Sequence, residues 1–241
     1  MEFKVSFLLG GAQKSGTTAL DAYLRNHPDI CMANFKEVHY FDNDAYFAAT
    51  QPDYRDYHRF FQPQSRHILI GESTPSYMYW PDAPGRICAY NSAMRWILVL
   101  RNPIERAFSH WNMQRVKRLE NLEFIEALKA ESQRLADKKH AYIGRGYYSR
   151  QLKNILEYFP KTQLLLLKYE NFKNDPLATL NKVYAFLEIE PITNVDEKNI
   201  FTAEYKATLT REARSFLCLA FETEIRELEY LLGWDCRDWL N

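Results

Sequence analysis

Cysteine is scarce in this sequence, with four residues among 241 and no closely spaced pair. Small secreted domains place cysteines densely in disulfide frameworks, and structural zinc sites use closely spaced pairs. The wide spacing argues against both, and no cluster of metal ligands appears elsewhere, so we expect reduced thiols and no metal. The four residues are Cys31, Cys88, Cys218 and Cys236.

An excess of charge of one sign is also absent, because lysine plus arginine and aspartate plus glutamate each number 31. A chain without net charge has no global field that would attract nucleic acid or an acidic membrane surface. The absence of net charge also argues against a long polyanionic glycan as ligand, since such a glycan requires a broad basic cleft. We therefore expect no nucleic-acid partner and look to local sites for ligands.

Long apolar runs are missing as well. The longest, such as Trp96–Leu100, are strand-sized and fall far below the roughly 20 residues that cross a bilayer. No basic segment followed by an apolar one precedes the first predicted strand, as it would in a secretory leader. We expect no membrane span and a cytoplasmic location.

The length of 241 residues suits a single domain over residues 1–241, which can bury a large core. Strand-type and helix-type patterns alternate along most of the chain, and no internal repeat is present. This alternation predicts an α/β fold with a mostly parallel sheet of about five strands flanked by helices.

A glycine-containing turn near the start of the chain predicts an anion site. An apolar strand-type run stops at a glycine pair, and a helix-type pattern begins at Gly16 to Thr18. Backbone N–H groups at a helix N-terminus lack intrahelical partners and attract anions. The spacing of Gly11 and Gly16 fits a phosphate-binding loop, but Thr17 stands where nucleotide triphosphatases have lysine. Lys14 is the only cation of the loop, which suits one phosphate and a bridging oxygen better than Mg-ATP.

A second predicted anion contact lies after another apolar strand. That strand ends at Arg101, and Pro103 occupies the first position of the helix that follows. Ligands in open α/β sheets bind at the carboxyl ends of the strands. Ser109 falls about two turns into the helix, so Arg101 and Ser109 could hold one anion with a charged fork and a hydroxyl group.

Two candidate general bases, Glu37 and His39, lie close together in the stretch Lys36–Asp42. A hydroxyl group that attacks an electrophile must lose its proton as the new bond forms, and either side chain can take it. Glu37 also fits a solvated charge near a helix start, and His39 a packed, hydrogen-bonded ring. Both interpretations stay open for each residue.

These stretches together resemble one family, the sulfotransferases that use 3′-phosphoadenosine 5′-phosphosulfate (PAPS). Gln13–Leu20 resembles their 5′-phosphosulfate loop. Glu37–Phe41 resembles the Glu-Val-His-Phe-Phe motif of the branch with the heparan-type glycosaminoglycan sulfotransferases and their bacterial relatives. Arg101 and Ser109 match the 3′-phosphate motif of the family. The resemblance implies a P-loop (nucleoside triphosphate hydrolase-like) sulfotransferase fold.

The resemblance also implies a reaction, the transfer of a sulfuryl group from PAPS to a hydroxyl or amine of a small-molecule or carbohydrate acceptor. The product nucleotide is then 3′-phosphoadenosine 5′-phosphate (PAP), and no metal takes part. Glu37 is by resemblance the base, Lys14 meets charge on the bridging oxygen, and His39 is a further catalytic candidate. Arg101 and Ser109 hold the 3′-phosphate. The candidate loop contacts of the nucleotide are Gln13, Lys14, Ser15, Gly16, Thr17 and Thr18.

Three more positions correspond to sites of the family without a full match to one of its motifs. Tyr148 lies in a segment that resembles one near the nucleotide, and Lys206 is the nearest substitute for a basic clamp on the 3′-phosphate. Both are therefore nucleotide-binding candidates. Ser73 stands where the animal enzymes have a second active-site lysine, which leaves Lys14 as the loop cation at the reaction centre.

Two other functions remain as alternatives. A P-loop small-molecule kinase would share the fold, but it should have lysine at the Thr17 position and an acidic magnesium ligand where this chain has Arg101. A non-catalytic nucleotide-binding module would keep the loop and Arg101 without needing a base such as Glu37.

Overall fold

The structure, a computed structural model, describes residues 3–49, 51–134, 138–192 and 207–240. Contacts within the chain divide it into two units, one of residues 1–100 and 153–202 and the other of residues 101–152 and 203–241. The first unit contains the sheet, and the described part of the second is helical. The prediction of one domain over residues 1–241 stays a prediction.

The sheet of the first unit consists of parallel strands. They are β1 (Phe7–Gly11), β2 (Ile30–Met32), β3 (Leu69–Ser73), β4 (Arg95–Leu100) and β5 (Leu164–Lys168). Within the described ranges these five strands pair in the order β2-β3-β1-β4-β5, and every pairing is parallel. The predicted parallel sheet of about five strands is confirmed.

Helices connect and flank these strands. They are α1 (Thr17–Arg25), α2 (Tyr54–His58), α3 (Ala83–Tyr90), α4 (Pro103–Val116), α5 (Phe124–Ala130), α6 (Tyr148–Leu156), α7 (Tyr169–Asn174), α8 (Pro176–Leu187) and α9 (Arg211–Leu232). Short 3-10 helices cover Asp44–Phe47, Glu131–Gln133, Lys138–His140, Gly144–Gly146, Lys161–Gln163 and Arg237–Leu240. None of the helices that the structure describes has the length and apolar character needed to cross a bilayer.

Helices α1 and α8 cover one face of the sheet. Leu9 of β1 and Ile97 of β4 are fully buried there, together with Leu20 of α1 and Val183 of α8. Both central strands are apolar and almost wholly buried, as expected for parallel strands with both faces covered. This packing fixes the point at which β1 ends and the loop to α1 begins.

The glycine pair lies inside β1 rather than in the turn, which corrects the sequence prediction. A Cβ atom on Gly10 would stand 2.6 Å from the ring of Trp96, and one on Gly11 would stand 2.7 Å from the side chain of Met78. The two glycines therefore allow close packing of neighbouring segments on β1. Gly16 is the glycine that shapes the turn, because its φ of 82° lies in the left-handed region.

In the second unit, α4 starts where the sequence predicts. Asn102 accepts the N–H groups of Ile104 and Glu105 at 2.9 and 3.4 Å, and Pro103 occupies the first helical position. Helix α9 packs against α4, and Arg214 of α9 pairs with Glu105 at 2.6 Å. The sequence also predicts a helix that starts at Asp175 and Pro176 and ends at Leu187, and a last one over residues 210–232; the bounds of α8 and α9 confirm both.

The spacing of apolar residues predicts one helix over residues 119–137, and the sequence predicts another that opens at residue 145; both differ in extent from the structure. The helical spacing over residues 119–137 is wrong as a single helix, because the Glu120 carboxylate accepts the N–H groups of Asn121 and Leu122 at 2.9 Å each. These bonds hold a turn, and α5 starts only after Glu123, whose carboxylate forms a capping box with Glu126. The helix predicted to open at residue 145 begins instead at Tyr148, after a 3-10 turn.

Candidate active site

The strand order defines where a ligand can bind. Strand β1 connects through α1 to β2 on one side of the sheet, whereas β4 leads on to β5 on the other side. The carboxyl ends of β1 and β4 therefore flank the switch point at which open α/β sheets bind ligands. Residues 12–16 follow β1, and Arg101 is the first residue after β4.

The loop between β1 and α1 holds an unusual backbone conformation. Lys14 has a φ of 70°, which is uncommon for a residue other than glycine, and Gly16 has a φ of 82°. The N–H group of Ala12 donates to the carbonyl oxygen of Val99 at 2.8 Å, so the start of the loop is tied to β4. No side chain among the described residues caps the N-terminus of α1. The N–H groups of its first turn are thus available to an anion.

Two side chains of this loop carry buried oxygen atoms without a partner. They are Gln13 Oε1 and Ser15 Oγ, which find no hydrogen bond within the described residues. A buried polar group left without a hydrogen bond costs about 1–3 kcal/mol, so such atoms point to a ligand. The Ser15 hydroxyl can donate to a phosphate oxygen, as can the N–H groups of α1. This set of donors, with Lys14 beside it, fits a phosphate group.

A cluster of alternating charges forms around Glu37. Lys36 Nζ lies 3.0 Å from Glu37 Oε1, and His39 Nε2 lies 3.3 Å from Glu37 Oε2. The other ring nitrogen of His39, Nδ1, lies 2.8 Å from Asp42 Oδ2, to which the Ser76 hydroxyl also donates. The structure therefore brings the two predicted bases, Glu37 and His39, into contact and places Lys36 beside Glu37 as well.

The cluster fixes the protonation state of both residues. Burial by itself raises the pKa of Glu37, but the hydrogen bond from His39 and the charge of Lys36 outweigh it and lower the pKa to about 2. Hydrogen bonds to Asp42 and Glu37 outweigh desolvation and raise the pKa of His39 to about 10. At neutral pH Glu37 is ionised and His39 is protonated, so only Glu37 is ready to accept a proton.

Three predicted contacts that the structure describes, Arg101, Ser109 and Tyr148, belong to the second unit. Ser109 is buried on α4, and the fully buried Tyr148 donates its hydroxyl proton to the carbonyl oxygen of Arg101 at 2.9 Å. Tyr148 thereby fixes the backbone at Arg101, and its contact with a nucleotide stays a prediction. Lys206 lies outside the described residues.

Sequence reasoning missed three members of the cluster. Lys36 and Asp42 fall in the stretch that carries the two bases, and the spacing of three residues between His39 and Asp42 is the signal that could have found Asp42. Ser76 follows β3, more than thirty positions along the chain, and only the tertiary structure brings it to Asp42. No local pattern could have found it.

The fold and the loop first define a class of protein. A parallel sheet with this strand order, whose first strand leads into an uncapped helix through a loop of phosphate-binding spacing, is a P-loop α/β fold. Comparison with known proteins then gives the family. Residues 5–216 match the sulfotransferase domain, so the chain belongs to the sulfotransferase family. The predicted fold and the predicted family are confirmed.

Known relatives include a curated protein and solved structures. The chain is 29% identical over 219 residues to heparan sulfate glucosamine 3-O-sulfotransferase 5 of Mus musculus, an alignment that covers 88% of this chain and 58% of that protein. The chain thus spans little more than half the length of this relative. The crystal structure of a sulfotransferase from Alicyclobacillus acidocaldarius matches with a TM-score of 0.87 and 26% identity over 100% of both chains. A mouse sulfotransferase solved in complex with PAP has a TM-score of 0.59 and 16% identity over 97% of this chain and 90% of its own, a likeness of fold.

Proposed function

We propose that this chain transfers a sulfuryl group from PAPS to a hydroxyl or amine of a small-molecule or carbohydrate acceptor, with Glu37 as general base. The observation that carries the proposal is the ionised Glu37 carboxylate held between Lys36 and His39, in the same unit as the phosphate-type loop. Membership of the sulfotransferase family supports the reaction type.

PAPS, when bound, supplies an activated sulfuryl group and leaves as PAP. The N–H groups at the start of α1 and the Ser15 hydroxyl are the donors that we assign to the 5′-phosphate, with Thr17 and Thr18 beside them. Lys14 offsets the negative charge that develops on the bridging oxygen. A cation held in place where charge develops stabilises the transition state most effectively. Gln13 and Gly16 belong to the same set of contacts.

The 3′-phosphate contact is assigned to Arg101 and Ser109 on their sequence motif. An arginine fork and a hydroxyl are a suitable pair for a phosphate dianion. Tyr148, which holds the backbone of Arg101, and Lys206 complete the proposed nucleotide contacts. Because Lys14 and Arg101 supply the cations, the proposed reaction requires no metal.

Glu37 takes the acceptor proton in this mechanism. The acceptor oxygen or nitrogen forms its bond to sulfur, the bond from sulfur to the bridging oxygen breaks, and the proton passes to the carboxylate. An ionised carboxylate offers about four acceptor sites, so the contacts with Lys36 and His39 leave room for the acceptor. Because the pKa of Glu37 is low, we expect the proton to move late, once the new bond has made the acceptor group acidic. His39, being protonated, orients Glu37 and does not compete for the proton.

The acceptor class is a small molecule or a short carbohydrate. The relative from Mus musculus is named as a 3-O-sulfotransferase of heparan sulfate glucosamine, which supports a carbohydrate hydroxyl as acceptor. Another relative, from Homo sapiens, is named as an N-sulfotransferase, which supports an amine. The absence of net charge disfavours a long polyanion. A cytoplasmic location belongs to the same proposal and rests on the sequence.

Substitution of Glu37 tests the proposal. A screen of metabolite libraries with labelled PAPS, with detection of the added sulfuryl group by mass spectrometry, first identifies an acceptor. Glu37→Gln keeps the size of the side chain and removes its basicity, so kcat should fall by roughly 10²–10⁴-fold. PAP affinity should stay unchanged, because Glu37 is not assigned to the nucleotide.

The parallel variant His39→Asn serves as the comparison. It should reduce kcat less than Glu37→Gln, since His39 orients the base. Near-normal kcat in Glu37→Gln with collapse in His39→Asn would move the base to His39. PAP binding without transfer to any acceptor in the unmutated chain would indicate a non-catalytic binding module.

A further inference from the structure

Glu72 is a fully buried carboxylate near the end of β3 that has no part in the reaction described above. Three hydroxyl groups donate to it, those of Tyr57 and Tyr77 to Oε1 at 2.7 and 2.9 Å and that of Thr74 to Oε2 at 2.6 Å. Burial raises the pKa of Glu72 to about 7 although these hydroxyl donors oppose the shift. Above this pH the ionised Glu72 accepts all three protons and so orients each of the three hydroxyl groups.

Two of these hydroxyl groups also hold the backbone beside the candidate base. Thr74 Oγ1 accepts the N–H groups of Val38 and His39 at 3.0 and 3.5 Å. The Tyr77 hydroxyl accepts the N–H groups of Tyr40 and Phe41 at 3.1 and 3.5 Å. Four consecutive backbone N–H groups, between Glu37 and Asp42, therefore end on two side-chain oxygen atoms.

The direction of these bonds depends on Glu72. A hydroxyl group has one proton and two lone pairs, so a hydroxyl that donates to the carboxylate presents its lone pairs to the backbone N–H groups. Loss of the carboxylate would remove the acceptor that holds the hydroxyl protons of Thr74 and Tyr77 away from the backbone N–H groups. His39 has a φ of 54°, a conformation that is uncommon for residues other than glycine and that the surrounding contacts help to hold.

We propose that Glu72 is a positioning residue: through the hydroxyl groups of Thr74 and Tyr77 it fixes the segment 38–41, and with it the contacts of His39 with Glu37 and Asp42. The catalytic part of this inference rests on the proposed function, because Glu37 is the base there. Its structural part concerns the charged cluster alone and can be measured without an acceptor.

Two tyrosines provide a matched pair of variants. Tyr57 and Tyr77 are both fully buried and donate to the same oxygen of Glu72, but only the Tyr77 hydroxyl accepts N–H groups of the segment 38–41. Each of the variants Tyr57→Phe and Tyr77→Phe removes one hydroxyl group that donates to Glu72 Oε1. A general loss of stability would affect both variants alike, whereas positioning affects Tyr77→Phe alone. Thr74→Val, which keeps the shape of the side chain, and Thr74→Ser, which keeps the hydroxyl, form a second pair.

The measurement is an NMR titration of the His39 ring, assigned by comparison with His39→Asn. Glu72→Gln, which replaces one acceptor oxygen by a donor, tests Glu72 itself. We expect Glu72→Gln, Tyr77→Phe and Thr74→Val to shift the His39 pKa from about 10 toward its ordinary value of 6.5, since its carboxylate contacts are no longer held. Tyr57→Phe and Thr74→Ser should leave it unchanged.

An unchanged His39 pKa in Glu72→Gln, or in both Tyr77→Phe and Thr74→Val, overturns the proposal, whether or not an acceptor is known. An equal shift in Tyr57→Phe also overturns it.

Turnover separates this inference from the proposed function. Once an acceptor is known, Tyr77→Phe and Thr74→Val should lower kcat by roughly 10- to 100-fold, the effect of a small misplacement of a catalytic group, with PAP affinity unchanged. If Glu37→Gln loses turnover while Tyr77→Phe and Thr74→Val keep full kcat, the proposed function stands and only the positioning role of Glu72 is overturned. Full kcat in Glu37→Gln would overturn the proposed function, and the titration would still decide what Glu72 holds in place.

Discussion

At the scale of the residue, Glu37 and His39 have opposite protonation preferences although they are close neighbours in the chain. The folded chain lowers the pKa of Glu37 from 4.5 to about 2 and raises that of His39 from 6.5 to about 10. The depressed carboxylate stabilises the fold above pH 4.5 and loses that effect as the pH falls toward 2. The raised imidazole stabilises the fold below pH 6.5 and loses that effect as the pH rises toward 10.

The resulting prediction concerns thermal stability against pH. The contribution of the pair should be greatest between pH 4.5 and 6.5 and should decline between pH 6.5 and 10 as His39 loses its proton. His39→Asn should therefore reduce the alkaline decline of Tm measured by calorimetry. Because the His39 side chain is 53% exposed, solvent screening keeps the difference small.

Asp42→Asn is the matched variant for this prediction. It keeps the imidazole but removes its largest electrostatic partner, so the folded-state pKa of His39 should fall. The decline should still begin near pH 6.5 but should be smaller and end at a lower pH than in the unmutated chain. An alkaline decline that is identical in the unmutated chain and both variants would contradict the assigned protonation of His39.

At the scale of the element, the close approach of β1 and β4 determines what the chain tolerates at the glycine pair. A Cβ atom on Gly10 would meet the Trp96 ring at 2.6 Å, and that ring is fully buried. Gly10→Ala should destabilise the chain by about 1–3 kcal/mol in denaturant unfolding, the usual cost of overpacking a core. The cost should shrink in a Trp96→Leu background, where the space is free.

Gly85→Ala is the control for the glycine prediction. Gly85 lies in α3, and a Cβ atom there would stand 3.2 Å from the ring of Tyr158, whose side chain is 45% exposed and able to move. Alanine favours helix over glycine by about 1 kcal/mol, so this variant should be neutral or more stable. Equal losses in Gly10→Ala and Gly85→Ala would show that the contact with Trp96 is not the cause.

Local signals predicted some elements well and others poorly. Helix α8 begins at Pro176 with Asp175 as its cap, and Thr210 caps α9, so chemistry within a few residues marks both starts. Helices α3 and α7 were missed. No side chain among the described residues caps either one. Helix α3 has Pro84 in its first turn as its start signal, whereas α7 follows β5 without an intervening loop and depends on packing.

At the scale of the whole molecule, ligand binding should couple to the stability of the entire chain. A ligand that binds only the folded state stabilises it by mass action. PAP should therefore raise Tm without added magnesium, and ADP, which lacks the 3′-phosphate, should do so much less. Equal stabilisation by Mg-ATP and PAP would favour the small-molecule kinase.

Arg101→Ala refines this test. Removing a charge-assisted contact of this kind typically costs on the order of 2–5 kcal/mol of binding, so calorimetry should show much weaker PAP affinity, while ADP binding changes little. Ser109→Ala should have a milder effect. Unchanged PAP affinity in Arg101→Ala would show that the 3′-phosphate contact lies elsewhere.

Local patterns in the sequence were enough to predict the parallel strands, the loop before α1, the start of α4 and the stretch that contains Glu37 and His39. Each depends on residues within about ten positions of one another, so strand periodicity, helix caps and short motifs reveal it. Three features could be found only in the folded chain: Gly16 shapes the loop, Ser76 reaches Asp42, and Thr74 and Tyr77 hold the segment beside the base. These features join residues that are distant in sequence. The pairing of strands and burial bring them together. Hydrogen bonds and charges within the cluster then ionise Glu37 and protonate His39, against the opposing effect of burial on both pKa values.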